Sequence, residues 1–81
     1  MLHNMKFMEQ FRGYTTWDPE LQLVAKERML IEYLEEQLIP RTNYDEYVRE
    51  LKKIIKEDIA FYEKFEYYEV CQLLKDLGDE L

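Results

Sequence analysis

Apolar residues recur at helical spacing through most of the chain and predict long α-helices. The clearest start is the stretch TTWDPEL, where Asp18 can accept hydrogen bonds from the free amides of the next turn and Pro19 suits the first helical position. This helix is predicted to run to about Ile39, because Pro40 cannot continue the hydrogen-bond ladder. One third of its circumference is apolar and is expected to face the core; this stripe comprises Leu23, Val24, Leu30, Ile31, Leu34 and Leu38.

A shorter helix is predicted before it, from Asn4 to Arg12, and Gly13 is expected to end it. Its residues Met5, Met8 and Phe11 lie near one face. Isolated helices of this length are marginal in water, so this segment is expected to form only where it docks on the rest of the chain.

A third helix is predicted to begin near Tyr44. A capping box at its start is formed either by Thr42 with Asp45 or by Asn43 with Glu46. Its apolar stripe consists of Tyr44, Tyr47, Val48, Leu51, Ile54, Ile55, Ile59 and Tyr62. The basic residues of the same segment gather on the opposite side; they are Arg49, Lys52, Lys53 and Lys56.

The apolar side of this segment changes within FEYYE, residues 65–69. Beyond that point the apolar residues lie about 140° around the helix from the earlier stripe; they are Tyr67, Val70, Cys71, Leu74 and Leu77. Two structures fit this change of side. Either the helix breaks near Glu66 to Glu69 and a fourth helix folds back, or one continuous helix from residue 44 to 77 shows two apolar faces to two surfaces.

These segments predict an all-α fold, a small bundle of three or four helices in a single domain spanning residues 1–81. Apolar residues make up 47% of the chain and charged residues 36%, which is too rich in large hydrophobic side chains for intrinsic disorder. Because the chain has only two glycines and two prolines, long stretches contain no helix-breaking residue. A domain of this size has a modest core, so folding assisted by a partner fits its length.

The sequence favours a cytoplasmic location. No stretch approaches the roughly 18 uninterrupted apolar residues of a membrane span, and residues 1–10 lack the apolar run of a signal peptide. Cys71 is the single cysteine and cannot form an internal disulfide, which suits a reducing compartment. We expect it to be a buried, inert thiol.

The net charge of −7 argues against a dedicated nucleic-acid binder, because phosphate contacts need clustered cations. Residues 40–56 carry a net positive charge between two acidic blocks. This arrangement favours charge complementarity between neighbouring helices. Contact of the basic row with a phosphate backbone inside a larger complex is the less favoured alternative.

Two carboxylates fall where apolar residues are expected, Glu27 in the stripe of the second helix and Asp58 in that of the third. Each is expected to meet a tyrosine hydroxyl, a basic side chain or solvent, because burying an unpaired carboxylate is costly. If the two helices pack antiparallel, the two carboxylates approach each other and a shared metal ion is conceivable. We expect no metal ion and no cofactor.

E-x-x-E spacings at Glu32/Glu35 and at Glu63/Glu66/Glu69 resemble the acidic metal-binding repeats of all-helical nucleotide pyrophosphohydrolases. The resemblance is limited to that spacing, because those enzymes add an E-x-x-D and this chain has none. His3, the one histidine, completes no metal-binding pair, and two glycines cannot build a phosphate-binding loop. The chain is therefore not expected to be an enzyme.

The stretch FYEKFEYY, residues 61–68, packs five aromatic side chains into eight positions. At roughly 150 Å² each they would present about 750 Å², more than the few hundred Å² of apolar patch that a soluble monomer tolerates. Most are expected to be covered, either by the first helix and the turn at Trp17 or by a partner or a second copy of the chain. The candidate partner-binding residues are Phe61, Tyr62, Phe65, Glu66, Tyr67, Tyr68 and Glu69.

The favoured function is that of a non-enzymatic protein-protein interaction module or inhibitor that acts through this aromatic and acidic helical surface. The partner is another protein, with a homodimer as the other candidate. The alternative is an acidic mimic of nucleic acid, of mobile-element origin, that blocks the basic cleft of a DNA- or RNA-handling protein. A carboxylate-metal nucleotide hydrolase is the least favoured function.

Overall fold

A computed structural model describes residues 5–36 and 43–81. Within these ranges the chain forms four α-helices and one 3-10 turn, with no strand, so the all-α prediction is confirmed. The helices are α1 (Met5–Glu9), α2 (Pro19–Glu36), α3 (Tyr44–Glu63) and α4 (Tyr68–Glu80), and the 3-10 turn is Tyr14–Thr16. Helix α4 packs against α3, against α2 and against the 3-10 turn, and therefore lies at the centre of the bundle.

Side-chain caps begin the two long helices where the sequence predicts them. Asp18 Oδ1 accepts a hydrogen bond of 3.0 Å from the amide of Leu21, in the first turn of α2. Asn43 Oδ1 accepts the amides of Asp45 at 2.9 Å and Glu46 at 3.3 Å, which begins α3. The alternative cap at Thr42 and the predicted end of α2 near Ile39 lie outside the described residues.

The first helix is shorter than predicted, because α1 ends at Glu9 and a turn occupies the residues up to Gly13. Gly13 has a φ of 87°, a conformation that favours glycine, and it redirects the chain into the 3-10 turn. Met8 and Phe11 are buried on either side of the helix end, so the segment docks on the core as its length requires.

Of the two alternatives for the last segment, the structure has the break, with a fourth helix folded back. Helix α3 ends at Glu63 and α4 begins at Tyr68. In the turn, the amide of Tyr67 donates to the carbonyl of Tyr62 at 3.1 Å and the amide of Glu66 donates to the carbonyl of Glu63 at 3.1 Å. This pair of bonds is a Schellman motif, and Glu66, with a φ of 61°, occupies the left-handed position where glycine is usual.

The core is built from one face of each helix, but the face that α2 contributes is not the predicted stripe. Its buried residues are Ala25, Met29 and Tyr33, whereas Leu30 and Leu34 are half-buried. The remaining described residues of the predicted stripe are exposed: Leu23 by 49%, Val24 by 52% and Ile31 by 53%. Leu38 lies outside the described residues.

The choice of face on α2 has a physical cause. Asp58 on α3 is fully buried, and the hydroxyl of Tyr33 donates a 2.7 Å hydrogen bond to it. Burying a carboxylate without a donor is costly, so the face of α2 that carries Tyr33 turns inward. Ala25 and Met29 on the same face are buried as well.

Helix α3 follows its predicted stripe with one correction. Leu51, Ile55, Asp58 and Tyr62 are buried, while Tyr44 at its first turn is 75% exposed. The half-buried members of the predicted stripe are Tyr47, Val48, Ile54 and Ile59. Among the described helices, none combines the length and the apolar character needed to cross a membrane.

Candidate functional site

The turn between α3 and α4 presents the residues that the sequence singles out, and we call residues 61–69 the aromatic corner. Phe65 is 54% exposed, Tyr68 is 63% exposed, and Glu66 between them is exposed. Phe61, Tyr67 and Glu69 are half-buried.

Tyr62 does not face solvent, which corrects its assignment to a partner-binding surface. Its side chain is fully buried in the core. Burial raises the pKa of its phenol to about 12, with smaller contributions from Asp58 and Tyr67. Tyr62 therefore supports the corner from beneath and cannot contact a partner directly.

Ring contacts connect the exposed part of the corner to the core. The rings of Phe65 and Phe61 are 5.1 Å apart, those of Phe61 and Tyr62 are 5.1 Å apart, and those of Tyr62 and Tyr67 are 6.1 Å apart. The last pair also supplies the apolar contact that usually accompanies a Schellman motif. The corner is consequently held both by its backbone and by a continuous row of packed rings.

A cleft of about 400 Å³ separates the corner from the N-terminal segment. Met8, Glu9 and Arg12 form one wall, and residues 65–70 form the other. The first helix therefore covers the aromatic cluster only in part, because it forms a wall of the cleft and leaves Phe65 and Tyr68 exposed.

Carboxylates dominate the charge of this cleft. Glu9, Glu66 and Glu69 line it, against the single cation of Arg12. The Oε2 atom of Glu69 is shielded from solvent and accepts no hydrogen bond from the described residues.

The two carboxylates that the pattern places in the core have different surroundings. Asp58 is fully buried and bonded to Tyr33, whereas Glu27, the other candidate for a buried polar residue, is exposed on α2 and meets solvent. The two residues therefore do not form a shared site. No group of three or more His, Cys, Asp or Glu side chains within residues 5–36 and 43–81 is arranged to hold a metal ion.

A second tyrosine-carboxylate bond, which the sequence pattern does not reveal, fastens the N-terminal segment to α4. The buried Tyr14 hydroxyl donates to Asp76 Oδ2 at 2.7 Å, and burial with this bond raises the pKa of the Tyr14 phenol above its ordinary value. Gln72 donates to the other oxygen of Asp76 at 2.8 Å. Tyr14 and Asp76 are separated by more than sixty residues in the chain, so neither sequence spacing nor composition could have predicted their hydrogen bond.

Cys71 is buried, as expected. Burial is the main cause that raises the pKa of its thiol, and Glu63 adds to the effect. Its Sγ donates to the carbonyl of Ile59 at 3.5 Å, so the thiol serves as a packing residue between α3 and α4.

A second surface, the basic groove, lies between α3 and α4 and has a volume of about 700 Å³. Its cations are Arg49, Lys52, Lys53 and Lys56 of α3 and Lys75 of α4. Ile55, Ile59 and Leu74 are the apolar residues that line it, and Asp79 is its one acidic residue. None of the five cations forms an ion pair with the acidic side chains that the structure describes, so the predicted charge complementarity between helices does not arise here.

A third surface is the outer face of α2, which we define by six exposed residues: Glu20, Leu23, Val24, Glu27, Ile31 and Glu35. Apolar and acidic side chains alternate along it. No other described element covers it, which leaves large apolar side chains in contact with water.

Comparison of the chain with protein-family models, with curated proteins and with solved structures finds no match.

Proposed function

We propose that this chain is a non-enzymatic protein-interaction module that binds another protein through the aromatic corner. One observation carries the proposal: Phe65 and Tyr68 expose more than half of their surface on a turn whose backbone is fixed by the Schellman bonds.

Exposed rings on a rigid turn are suited to binding because little conformational entropy is lost when a partner covers them. Each aromatic side chain offers roughly 150 Å² or more of contact area, and tyrosine is enriched among the residues that dominate interface energies. The row of packed rings beneath Phe65 holds it in place before a partner arrives. A preorganised surface of this kind binds more tightly than a flexible one with the same contacts.

The adjoining cleft supports a partner that presents hydrogen-bond donors. Glu9, Glu66 and Glu69 supply acceptors there, and the buried Oε2 of Glu69 has no donor among the described residues. Backbone amides or hydroxyls of the partner would bond to the accessible oxygens of these carboxylates while its apolar side chains cover the rings.

The test is capture of a partner from an extract of the cells that make this protein, followed by quantitative mass spectrometry. The variant Phe65→Ser/Tyr68→Ser removes both exposed rings and is expected to reduce recovery of the partner by roughly tenfold or more. Tyr44→Ser is the control, because Tyr44 is an even more exposed ring at the start of α3, away from the corner.

Helicity by circular dichroism should be unchanged in both variants, since each altered side chain is exposed. A partner recovered equally by the double variant and by the parent chain would contradict the proposal. Loss of the partner from the Tyr44 variant alone would also contradict it, because the binding surface would then lie at α3.

A further inference from the structure

The basic groove and the outer face of α2 are both uncovered, and their chemistry is complementary. The groove offers five cations above a floor in which Ile55 and Leu74 are buried and Ile59 is half-buried. The outer face offers three carboxylates interleaved with three apolar side chains. Neither surface belongs to the aromatic corner.

The spacing of the charges on the two surfaces also matches. Arg49 and Lys56 are seven residues apart on α3, and Glu20 and Glu27 are seven residues apart on α2. At a rise of about 1.5 Å per residue, both pairs span roughly 10 Å along their helices. Two carboxylates of the outer face can therefore lie beside two cations of the groove at the same time.

We propose that the basic groove binds the outer face of α2 from a second copy of this chain. The apolar side chains Leu23, Val24 and Ile31 would then pack on Ile59 and on the aliphatic stems of the groove lysines, and Glu20 and Glu27 would meet its cations. The contact buries the half-exposed apolar groups of the outer face, and the carboxylates of that face neutralise the like charges of the groove.

The exposed apolar side chains of α2 favour a second copy over a nucleic acid as the partner of its outer face. A nucleic acid bound in the groove would leave Leu23, Val24 and Ile31 in water, whereas the groove of a second copy covers them with Ile59 and with the aliphatic stems of its lysines. A second copy carries the same net charge of −7, so its approach depends on the local match between its acidic outer face and the cations of the groove.

The experiment is analytical ultracentrifugation of the parent chain and of two charge-reversed variants. The groove variant carries Lys52→Glu, Lys53→Glu and Lys56→Glu, and the outer-face variant carries Glu20→Lys, Glu27→Lys and Glu35→Lys. All six positions are exposed, so both variants should fold with the helicity of the parent. The parent is expected to self-associate at protein concentrations up to about 1 mM, and each variant alone should associate roughly tenfold or more weakly.

Mixing the two variants supplies the decisive result. The reversed groove of one then faces the reversed outer face of the other, and the unreversed surfaces also match, so the mixture should associate about as strongly as the parent. A variant with Lys6→Glu and Lys64→Glu, two exposed lysines outside the groove, should associate like the parent. The Phe65→Ser/Tyr68→Ser variant should do the same, which separates this contact from the aromatic corner.

Three outcomes would overturn the proposal. The first is a parent chain that stays monomeric over the whole concentration range. The second is a mixture of the two variants that remains as weakly associated as either variant alone. The third is a groove that binds a double-stranded DNA probe at physiological salt more tightly than the parent chain binds itself.

Discussion

The hydroxyl of Tyr33 on α2 donates a 2.7 Å hydrogen bond to Asp58 on α3, and both side chains are fully buried. Burial is the main cause that raises the pKa of the Tyr33 phenol, followed by the bond to Asp58, so the hydroxyl remains a donor at any ordinary pH. This bond fixes the rotation of α2 about its own axis. It therefore also determines that the outer face of α2 points to solvent.

Removing this donor should destabilise the protein. Tyr33→Phe leaves Asp58 buried without its tyrosine donor, and the free energy of unfolding should fall by about 1 to 3 kcal/mol, measured by urea denaturation. Tyr44→Phe removes a hydroxyl from a ring that is 75% exposed and should change stability by less than about 0.5 kcal/mol. Equal losses in the two variants would show that the buried bond does not stabilise the fold.

Stability should fall above pH 10 because of the buried phenols. The pKa of Tyr62 is raised from 10.0 to about 12 in the folded chain, so the folded state retains a proton that the unfolded state loses. Its contribution, about 3 kcal/mol, is fully present below pH 10 and is lost as the pH rises to about 12. Urea denaturation at a series of pH values, with tyrosinate absorbance followed in parallel, measures this loss. Tyr62→Phe should make the decline shallower, and an unchanged slope would contradict the assignment.

Glycine in place of Glu66, the left-handed residue of the turn, should stabilise the protein. Glu66→Gly removes the steric cost of a side chain at a φ of 61° and should stabilise the protein by about 1 kcal/mol. Lys64→Gly is the matched control, because Lys64 lies two residues earlier in a helical conformation, with a φ of −63°. That change should destabilise by about 1 kcal/mol. If both variants shift stability in the same direction, the turn is not strained at Glu66.

Binding at the aromatic corner should tolerate salt. Burial of rings is little affected by ionic strength, so affinity for the captured partner should change by less than about threefold between 0.05 and 0.5 M salt. Surface plasmon resonance over that range is a direct measurement. The acidic mimic of nucleic acid predicts the opposite, a steep fall with salt. A steep fall together with full binding by Phe65→Ser/Tyr68→Ser would favour that alternative.

Local signals in the sequence predicted the helix starts well. Asp18 with Pro19 and Asn43 before Tyr44 act through side chains and backbone angles that operate within one turn. The change of apolar side near residue 66 located the break, although periodicity alone left a continuous helix as the other alternative. The break is closed by a Schellman motif, and the motif has Glu66 at the position where glycine is the usual sequence signal.

The pattern of apolar positions could not predict which helix faces pack together in the bundle. Helix α2 has two apolar faces, and the more hydrophobic one is exposed because only the other brings Tyr33 to Asp58. The same choice placed Glu27 in solvent. For the aromatic corner, the sequence pattern identified the residues but could not predict how exposed their side chains are, because the exposure depends on where α1 docks. The basic groove was visible only as a row on α3, because Lys75 joins it through the fold-back of α4.

Trp17 is the chain's one tryptophan, and its half-buried ring packs edge-on against Tyr14 at 6.0 Å. Because Tyr14 is bonded to Asp76 on α4, the indole is a natural fluorophore at the joint between the N-terminal segment and the bundle. Its emission can report the release of that segment separately from far-ultraviolet ellipticity, which the three longer helices dominate. Stopped-flow fluorescence and circular dichroism can therefore determine whether the N-terminal segment or the rest of the bundle unfolds first, without any attached dye.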